Sequence, residues 1–132
     1  MEETQIRSAI VEHFALAGKD EVAAAEIFAD DAIVEWPQSG ERILGKERIV
    51  ALHQASPARI DFDVRRTIGC GDLWVTETTI RYDGVRPTNA VFIMEFRDGK
   101  VVRETDYFGE PFDPPEYRSG WVEIMSDTDL RG

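Results

Sequence analysis

The sequence has a single cysteine, Cys70, and only two histidines among its 132 residues. One cysteine excludes an internal disulfide, and neither a neighbouring cation nor a helix N-terminus marks the Cys70 thiol as reactive. The two histidines do not share the i, i+4 spacing of a helical metal site. We therefore expect neither a metal nor any other cofactor.

Basic residues are scarce as well. Lysine and arginine number 15 against 26 acidic residues, so the formal net charge is −11. A surface this acidic argues against binding to nucleic acid, because phosphates are recognised by basic side chains. It argues equally against binding to anionic membranes.

Long apolar runs are missing too. No stretch approaches the length of a membrane span, and no repeat or low-complexity segment is present. The first five residues are acidic and lack the basic start and apolar centre of a signal peptide. We expect a cytoplasmic protein with one domain over residues 1–132, a length sufficient for a proper core.

The first half of the chain predicts three helices. Residues 5–17 repeat apolar side chains at helical spacing, and Thr4 precedes them as a candidate N-cap. A second helix is predicted from residue 21 to about residue 29, with Asp20 as its cap. A third is predicted over residues 46–55, and a short strand and a loop separate it from the second.

After the third helix the apolar period changes from helical to two, which predicts consecutive strands. Asp98 and Gly99 predict a type I′ hairpin turn between the last two strands. The predicted strands are residues 32–36, 60–65, 73–82, 88–96 and 101–108. Helices followed by consecutive strands are typical of an α+β fold with the helices on one face of the sheet.

The other face of the predicted sheet also carries apolar residues, and a second subunit would cover it. We expect a homodimer through this outer face. Residues 110–132 contain three prolines but are too apolar for a disordered tail. We expect this tail to pack on the body or on a partner subunit. The predicted outer-face residues are Val75, Thr79, Val91, Ile93 and Val101.

Asp106 is the main candidate for chemistry. Alternation along the last strand places it on one face with Glu104 and Phe108. Apolar surroundings would raise the pKa of its carboxyl and make it a usable acid or base near neutrality. His53, on an apolar helix face, is predicted to assist it, and His13 is a weaker candidate for the same role. The alternative is that Asp106 only makes a structural hydrogen bond.

A second group of predicted site residues forms a wall for an apolar or polyketide-like ligand. Most are aromatic, and the threonines would orient a carbonyl or hydroxyl group. The same side chains would also serve as an ordinary core that binds nothing. The predicted wall consists of Phe14, Trp36, Trp74, Thr76, Thr78, Phe92, Met94 and Phe108.

Two segments resemble a known superfamily. Residues 28–37, Phe-Ala-Asp-Asp-Ala-Ile-Val-Glu-Trp-Pro, with Gly-Lys-Glu-Arg-Ile at 45–49, resemble the same region of ketosteroid isomerases. Asp-Gly-Lys-Val at 98–101, through Asp-Tyr-Phe at 106–108, is similar to SnoaL-like polyketide cyclases and limonene epoxide hydrolases. Over about residues 6–109 the chain thus resembles the nuclear transport factor 2-like superfamily. The resemblance implies a cone-shaped, curved antiparallel or mixed sheet with three helices on its concave face and a deep pocket.

The resemblance transfers few catalytic residues to this chain. The general-base aspartate of ketosteroid isomerases falls at Trp36, where the indole is no base. Their oxyanion donors fall near Glu12 or His13 and at Phe92, which cannot donate. Asp106 matches one aspartate of the epoxide hydrolases, but its partners there fall at Thr78 and Ile80. Steroid isomerisation is therefore not expected, and the hydrolase dyad is incomplete.

Two functions stay open on the sequence. One is a cofactor-independent acid/base enzyme, such as an isomerase, cyclase, dehydratase or hydrolase, that uses Asp106 on an apolar or polyketide-like substrate. The other is a non-catalytic ligand-binding or dimerisation module of the same fold. An open cavity that touches Asp106 would favour the enzyme.

Overall fold

The computed structural model of the protein describes residues 2–83, 87–126 and 129. The end of the predicted tail, residues 127, 128 and 130–132, lies outside them. No helix within the described ranges is long and apolar enough to cross a membrane. The elements are α1 (Glu3–Leu16), α2 (Glu21–Ala24), β1 (Phe28–Trp36), β2 (Glu41–Leu44), α3 (Lys46–Gln54), β3 (Ile60–Cys70), β4 (Leu73–Tyr82), β5 (Thr88–Arg97) and β6 (Lys100–Gly109).

Six strands form one open sheet in the order β2-β1-β6-β5-β4-β3. The β1 and β6 strands run parallel, and every other neighbouring pair is antiparallel. The sheet is therefore mixed, and the last strand of the chain lies at its centre. The predicted α+β fold is confirmed.

The helices cover the inner face of the sheet because their apolar stripes need burial. In α1 the residues Ile6, Ile10 and Phe14 recur at i, i+4 and i+8, and all three are buried. In α3 the buried residue is Ile49. These side chains join the inner-face residues of the strands in one continuous core.

The predicted cap of α1 is wrong. The helix begins at Glu3 after Glu2 as N-cap. The Gln5 Oε1 atom accepts a hydrogen bond of 3.0 Å from the Glu2 backbone N–H. Thr4 therefore lies inside the first turn of the helix.

The predicted second helix is too long. After α2 the chain makes a 3₁₀ turn over Ala25–Ile27 and enters β1 at Phe28. Phe28 lies opposite Val101 of β6, and a sheet partner distant in sequence outweighs the helical spacing of residues 25–29. Strand β2 was not predicted, because its sequence is polar and it pairs only with β1 at the sheet edge.

Val101 lies on the inner face and not on the predicted outer one. The pairing of β5 with β6 shifts by one residue between Glu95 and Phe96, so β6 carries an extra residue at this point. Such a bulge moves the following side chains to the opposite face. Val101 is consequently fully buried in the core.

The described part of the tail does not pack its apolar side chains on the body. Phe112 is 69% exposed and Trp121 is 87% exposed. A short 3₁₀ turn over Glu116–Arg118 is its one regular element within the described residues. Packing of the tail on a partner subunit stays a prediction.

Candidate functional site

A cavity of about 370 Å³ lies between the helices and the inner face of the sheet. Exposed and half-buried residues such as Gly18, Ser56 and Glu110 form its rim, and fully buried ones form its floor. A volume in this range is typical of pockets for small organic molecules. Its polar lining residues are His13, Glu21, Trp36, His53, Ser56, Tyr82, Glu104, Asp106 and Glu110.

The apolar wall is built largely from aromatic rings that meet edge to face. The ring centroids of Phe14 and Phe92 are 5.1 Å apart, and those of Phe92 and Phe108 are 6.2 Å apart. Trp36 lies 6.0 Å from Phe108 in the same arrangement. Because each ring is held by its neighbours, the cavity is largely preformed and offers contact to a flat apolar molecule.

Two carboxyl groups face the floor of the cavity side by side. Glu104 and Asp106 are separated by one residue of β6, so both point to the inner face of the central strand. They are 4% and 2% exposed, respectively. The nearby guanidinium of Arg103 lies on the opposite face, where it pairs with Glu35. No cation among the described residues therefore forms an ion pair with either carboxyl.

Trp36 holds Asp106 in place. Its indole Nε1–H donates a hydrogen bond of 2.9 Å to Asp106 Oδ2, from the far end of β1. The other Asp106 oxygen, Oδ1, and Glu104 Oε1 are buried without a well-formed hydrogen bond to any described group. Buried oxygen atoms with unused hydrogen-bonding capacity are costly and are often found where a protein binds or reacts.

Burial changes the protonation of both groups. Desolvation raises the pKa of Asp106 from 3.8 to about 7, and hydrogen bonds from Glu104 and Trp36 limit that rise. Desolvation, and then the charge of Asp106, raise the pKa of Glu104 well above its usual 4.5. Asp106 is accordingly close to half ionised at neutral pH, and Glu104 keeps its proton to a higher pH than an ordinary glutamate does.

Two histidines line the helical side of the same cavity. His13 Nδ1 lies 2.7 Å from the backbone oxygen of Ala24. Burial lowers the pKa of His13 from 6.5, with a further contribution from His53, whereas the Ala24 bond and Glu21 oppose that shift. His53 makes no ion pair or hydrogen bond with Asp106 among the described residues, so its predicted assistance to Asp106 stays a prediction.

Six of the predicted site residues line the cavity, and four do not. The four are buried in the core beside it, where their polar atoms are used within the fold. Trp74 Nε1 donates to Gly71 O at 3.0 Å, and the hydroxyls of Thr76 and Thr67 are 3.2 Å apart. The lining residues are Phe14, Trp36, His53, Phe92, Asp106 and Phe108; the core residues are Trp74, Thr76, Thr78 and Met94.

Sequence reasoning gave no role to five polar residues of the cavity, which are Glu21, Ser56, Tyr82, Glu104 and Glu110. Glu104 was placed on the same strand face as Asp106 but was given no role, although two acidic residues at i and i+2 on an inward face are a signal in themselves. Tyr82 lines the cavity near Glu110, and burial together with that carboxylate raises the pKa of its phenol. No group of three or more histidine, cysteine or acidic side chains within the described ranges is arranged to hold a metal ion.

Comparisons with known proteins agree with this geometry. A family model described as a SnoaL-like domain matches residues 9–104. An NTF-2 like protein of unknown function from Burkholderia xenovorans LB400 is 48% identical, with a TM-score of 0.83 over 96% of this chain and 99% of that one. The comparison with curated proteins gives no match.

Two further solved structures have names that refer to enzymes. A provisionally assigned ketosteroid isomerase from Kribbella flavida DSM 17836 is 27% identical, with a TM-score of 0.84 over 96% of this chain and 93% of that one. An LEH-like epoxide hydrolase from M. tuberculosis is 22% identical, with a TM-score of 0.67 over 80% and 83% of the two chains. The latter likeness extends to the fold alone.

Proposed function

The chain belongs to the SnoaL-like domain family, and within that family we propose that it is a cofactor-independent acid/base enzyme acting on an apolar small molecule. The observation that carries the proposal is the pair of buried carboxyls, Glu104 and Asp106, at the floor of an aromatic cavity. Two desolvated carboxyls without a neighbouring cation destabilise the fold. Destabilising groups of this kind cluster at functional sites, where they take part in binding or catalysis.

The protonation states of the pair suit proton transfer near neutrality. A general base works best when its pKa lies near the working pH, which is the position of Asp106 at about 7. In the simplest such reaction Asp106 takes a proton from a carbon beside a substrate carbonyl. The C–H bond breaks, its electron pair forms an enolate, and an O–H bond forms on Asp106; the reverse step returns a proton to carbon. Isomerisation and cyclisation both begin with a step of this kind.

Exchange of carbon-bound protons tests the proposal directly. We expect the protein to accelerate deuterium uptake at the α-carbon of apolar bicyclic ketones such as 1-tetralone, followed by ¹H NMR in D₂O. Asp106→Asn should lower that rate by about 10²- to 10⁴-fold, the usual contribution of a positioned acid or base. Glu95→Gln on β5 is the matched control, because Glu95 is exposed, and its rate should equal that of the wild type.

The proposed enzymatic function would be contradicted if the protein accelerated deuterium uptake by none of the ketones tested, or if Asp106→Asn had the wild-type rate. Ligand-induced rises in the thermal midpoint would then decide the alternative, because a molecule that binds only the folded state stabilises it. Stabilisation without exchange would indicate a binding protein that uses the same cavity.

We also propose a homodimer through the outer face of the sheet. Ile68 is 59% exposed, Leu73 53% and Tyr107 44%, and they lie on that face in β3, β4 and β6. Exposed apolar groups of this extent are typical of a contact surface. The apolar tail at residues 110–126 would extend the contact.

Sedimentation equilibrium measures this assembly. The wild type should have about twice the 15.0 kDa mass of one chain, and Leu73→Glu should shift it to the monomer, because burying an unpaired charge is unfavourable. Lys100→Glu, which also introduces a negative charge, at the exposed first residue of β6, should remain dimeric. A monomeric wild type at tens of micromolar would refute the dimer.

A further inference from the structure

His13 is held more firmly than a surface histidine. Its position on α1 places the ring in edge contact with Phe14, at 4.9 Å, and with Phe28, at 5.6 Å. The hydrogen bond between Nδ1 and Ala24 O fixes the rotation of the ring between those neighbours. A backbone carbonyl only accepts hydrogen bonds, so the proton of the neutral ring must be on Nδ1.

This tautomer leaves Nε2 as an acceptor. Because burial lowers its pKa, His13 is neutral at pH 7, and the Nε2 lone pair is free. None of the described groups donates to Nε2, and the residue lines the cavity. A fixed acceptor at the cavity surface favours a ligand that brings its own donor, since an apolar ligand that covered Nε2 would leave it unpaired.

Aromatic rings connect His13 to the strand that pairs with the strand of the two carboxyls. The ring of His13 contacts that of Phe14, and Phe14 contacts Phe92 at 5.1 Å. Phe92 is the residue directly opposite Asp106 in the pairing of β5 with β6. A series of ring contacts thus connects His13 to the strand position opposite Asp106, along walls that suit a flat molecule.

We propose that His13 determines the ligand specificity of the cavity: its Nε2 accepts a hydrogen bond from a hydroxyl group at the end of the ligand remote from Glu104 and Asp106. The preferred class is a fused-ring ketone that carries such a hydroxyl. The ketone end rests on the proposed acid/base function, whereas the hydroxyl end depends on His13 alone.

A pair of probes that differ by one hydroxyl tests the proposal. Calorimetric titration with 6-acetyl-2-naphthol and with 2-acetylnaphthalene gives the preference of the protein for the hydroxyl. We expect the wild type to bind the naphthol about tenfold more tightly, the effect of one well-placed buried hydrogen bond. In His13→Phe, which keeps the ring volume but has no acceptor, the two affinities should become equal.

Two further variants make the test specific. His13→Gln supplies an amide oxygen and should retain part of the preference, provided that circular dichroism shows it folded. Glu12→Gln changes the neighbouring exposed residue of α1 and should retain all of it. An equal affinity of the wild type for both probes, or a full preference in His13→Phe, would overturn the proposal.

¹⁵N NMR of the histidines provides a readout that needs no turnover. At pH 7 His13 should show a protonated Nδ1 and a bare Nε2, and only the naphthol should shift the Nε2 resonance towards that of a hydrogen-bonded acceptor. An Nε2–H tautomer in the free protein would overturn the inference. If the protein catalyses ketone exchange but shows no preference for the hydroxyl, the proposed role of His13 is wrong and the proposed acid/base function is unaffected.

Discussion

Through Asp106 alone the free energy of unfolding should fall by about 3 kcal/mol between pH 5 and pH 8.5, because its buried carboxyl must ionise as the pH rises, and Glu104 should add to the fall. The ordinary pKa of an aspartate is 3.8, and burial in the fold raises that of Asp106 to about 7. The folded state therefore binds more protons than the unfolded one across this window, which makes it less stable as protons are withdrawn. Glu104, whose pKa lies well above 4.5, extends the loss to higher pH.

Urea denaturation at a series of pH values measures this fall, and the double variant Glu104→Gln/Asp106→Asn isolates its source. The variant should lose most of the pH dependence and be more stable than the wild type at pH 8.5. Comparison with the variant also removes the opposite contribution of His13, whose lowered pKa costs stability as the pH drops below 6.5. Glu95→Gln should follow the wild-type curve.

If the free energy of unfolding of the wild type does not change with pH, both carboxyls remain solvated. Asp106 would then be ionised throughout the neutral range, and the protonation states used for the proposed reaction would be incorrect. A double variant less stable than the wild type at pH 8.5 would instead assign the pair to the maintenance of the fold.

Trp74→Ala should destabilise the protein by about 3–5 kcal/mol, the usual loss for a large aromatic residue removed from a core. The side chain is 1% exposed and donates a hydrogen bond to Gly71. Its ring lies so close to the backbone of β3 that a Cβ at Gly69 would be 2.4 Å from it. The guanidinium of Arg7, on α1, lies 5.2 Å from the centroid of the Trp74 ring. The substitution therefore leaves a cavity between several elements.

Phe108→Ala is the matched comparison, because Phe108 lines the ligand cavity and is only half-buried. Its loss of stability should be smaller than that of Trp74→Ala, and its loss of affinity for 2-acetylnaphthalene should be larger. Urea denaturation and calorimetry on both variants give the two quantities. If Trp74→Ala has nearly wild-type stability but binds the probe poorly, Trp74 contacts the ligand, as the sequence predicts.

The apolar period of the sequence predicts most of the regular structure. Strand β4 has its predicted bounds, and α1 and α3 lie within two residues of theirs. The failures concern segments that pairing in the sheet decides. The start of β1 is polar and pairs with β6, which is distant in sequence, whereas β2 has only four residues, too few to show a strand pattern, and pairs with the adjacent β1.

The site was only partly predictable for a related reason. Alternation assigns a residue to a face of the sheet, which is why Asp106 and Phe108 were found, but it does not give the depth at which that residue meets the helices. Trp74 and Met94 face inward as expected, yet they lie in packed core beside the cavity. Val101 shows that one inserted residue is enough to reverse the face itself.

The central position of β6 has a consequence for how the protein is made. Trp36 and Asp106 are 70 residues apart in the chain, and the strands that carry them meet only when the final strand enters between β1 and β5. Closing a loop of that length has an entropic cost that local contacts do not offset, so topologies of this kind fold slowly. A nascent chain that ends before residue 100 would have its helices but no floor beneath them. The cavity should therefore form only after residues 100–109 have been synthesised, in the same step that buries the two acids.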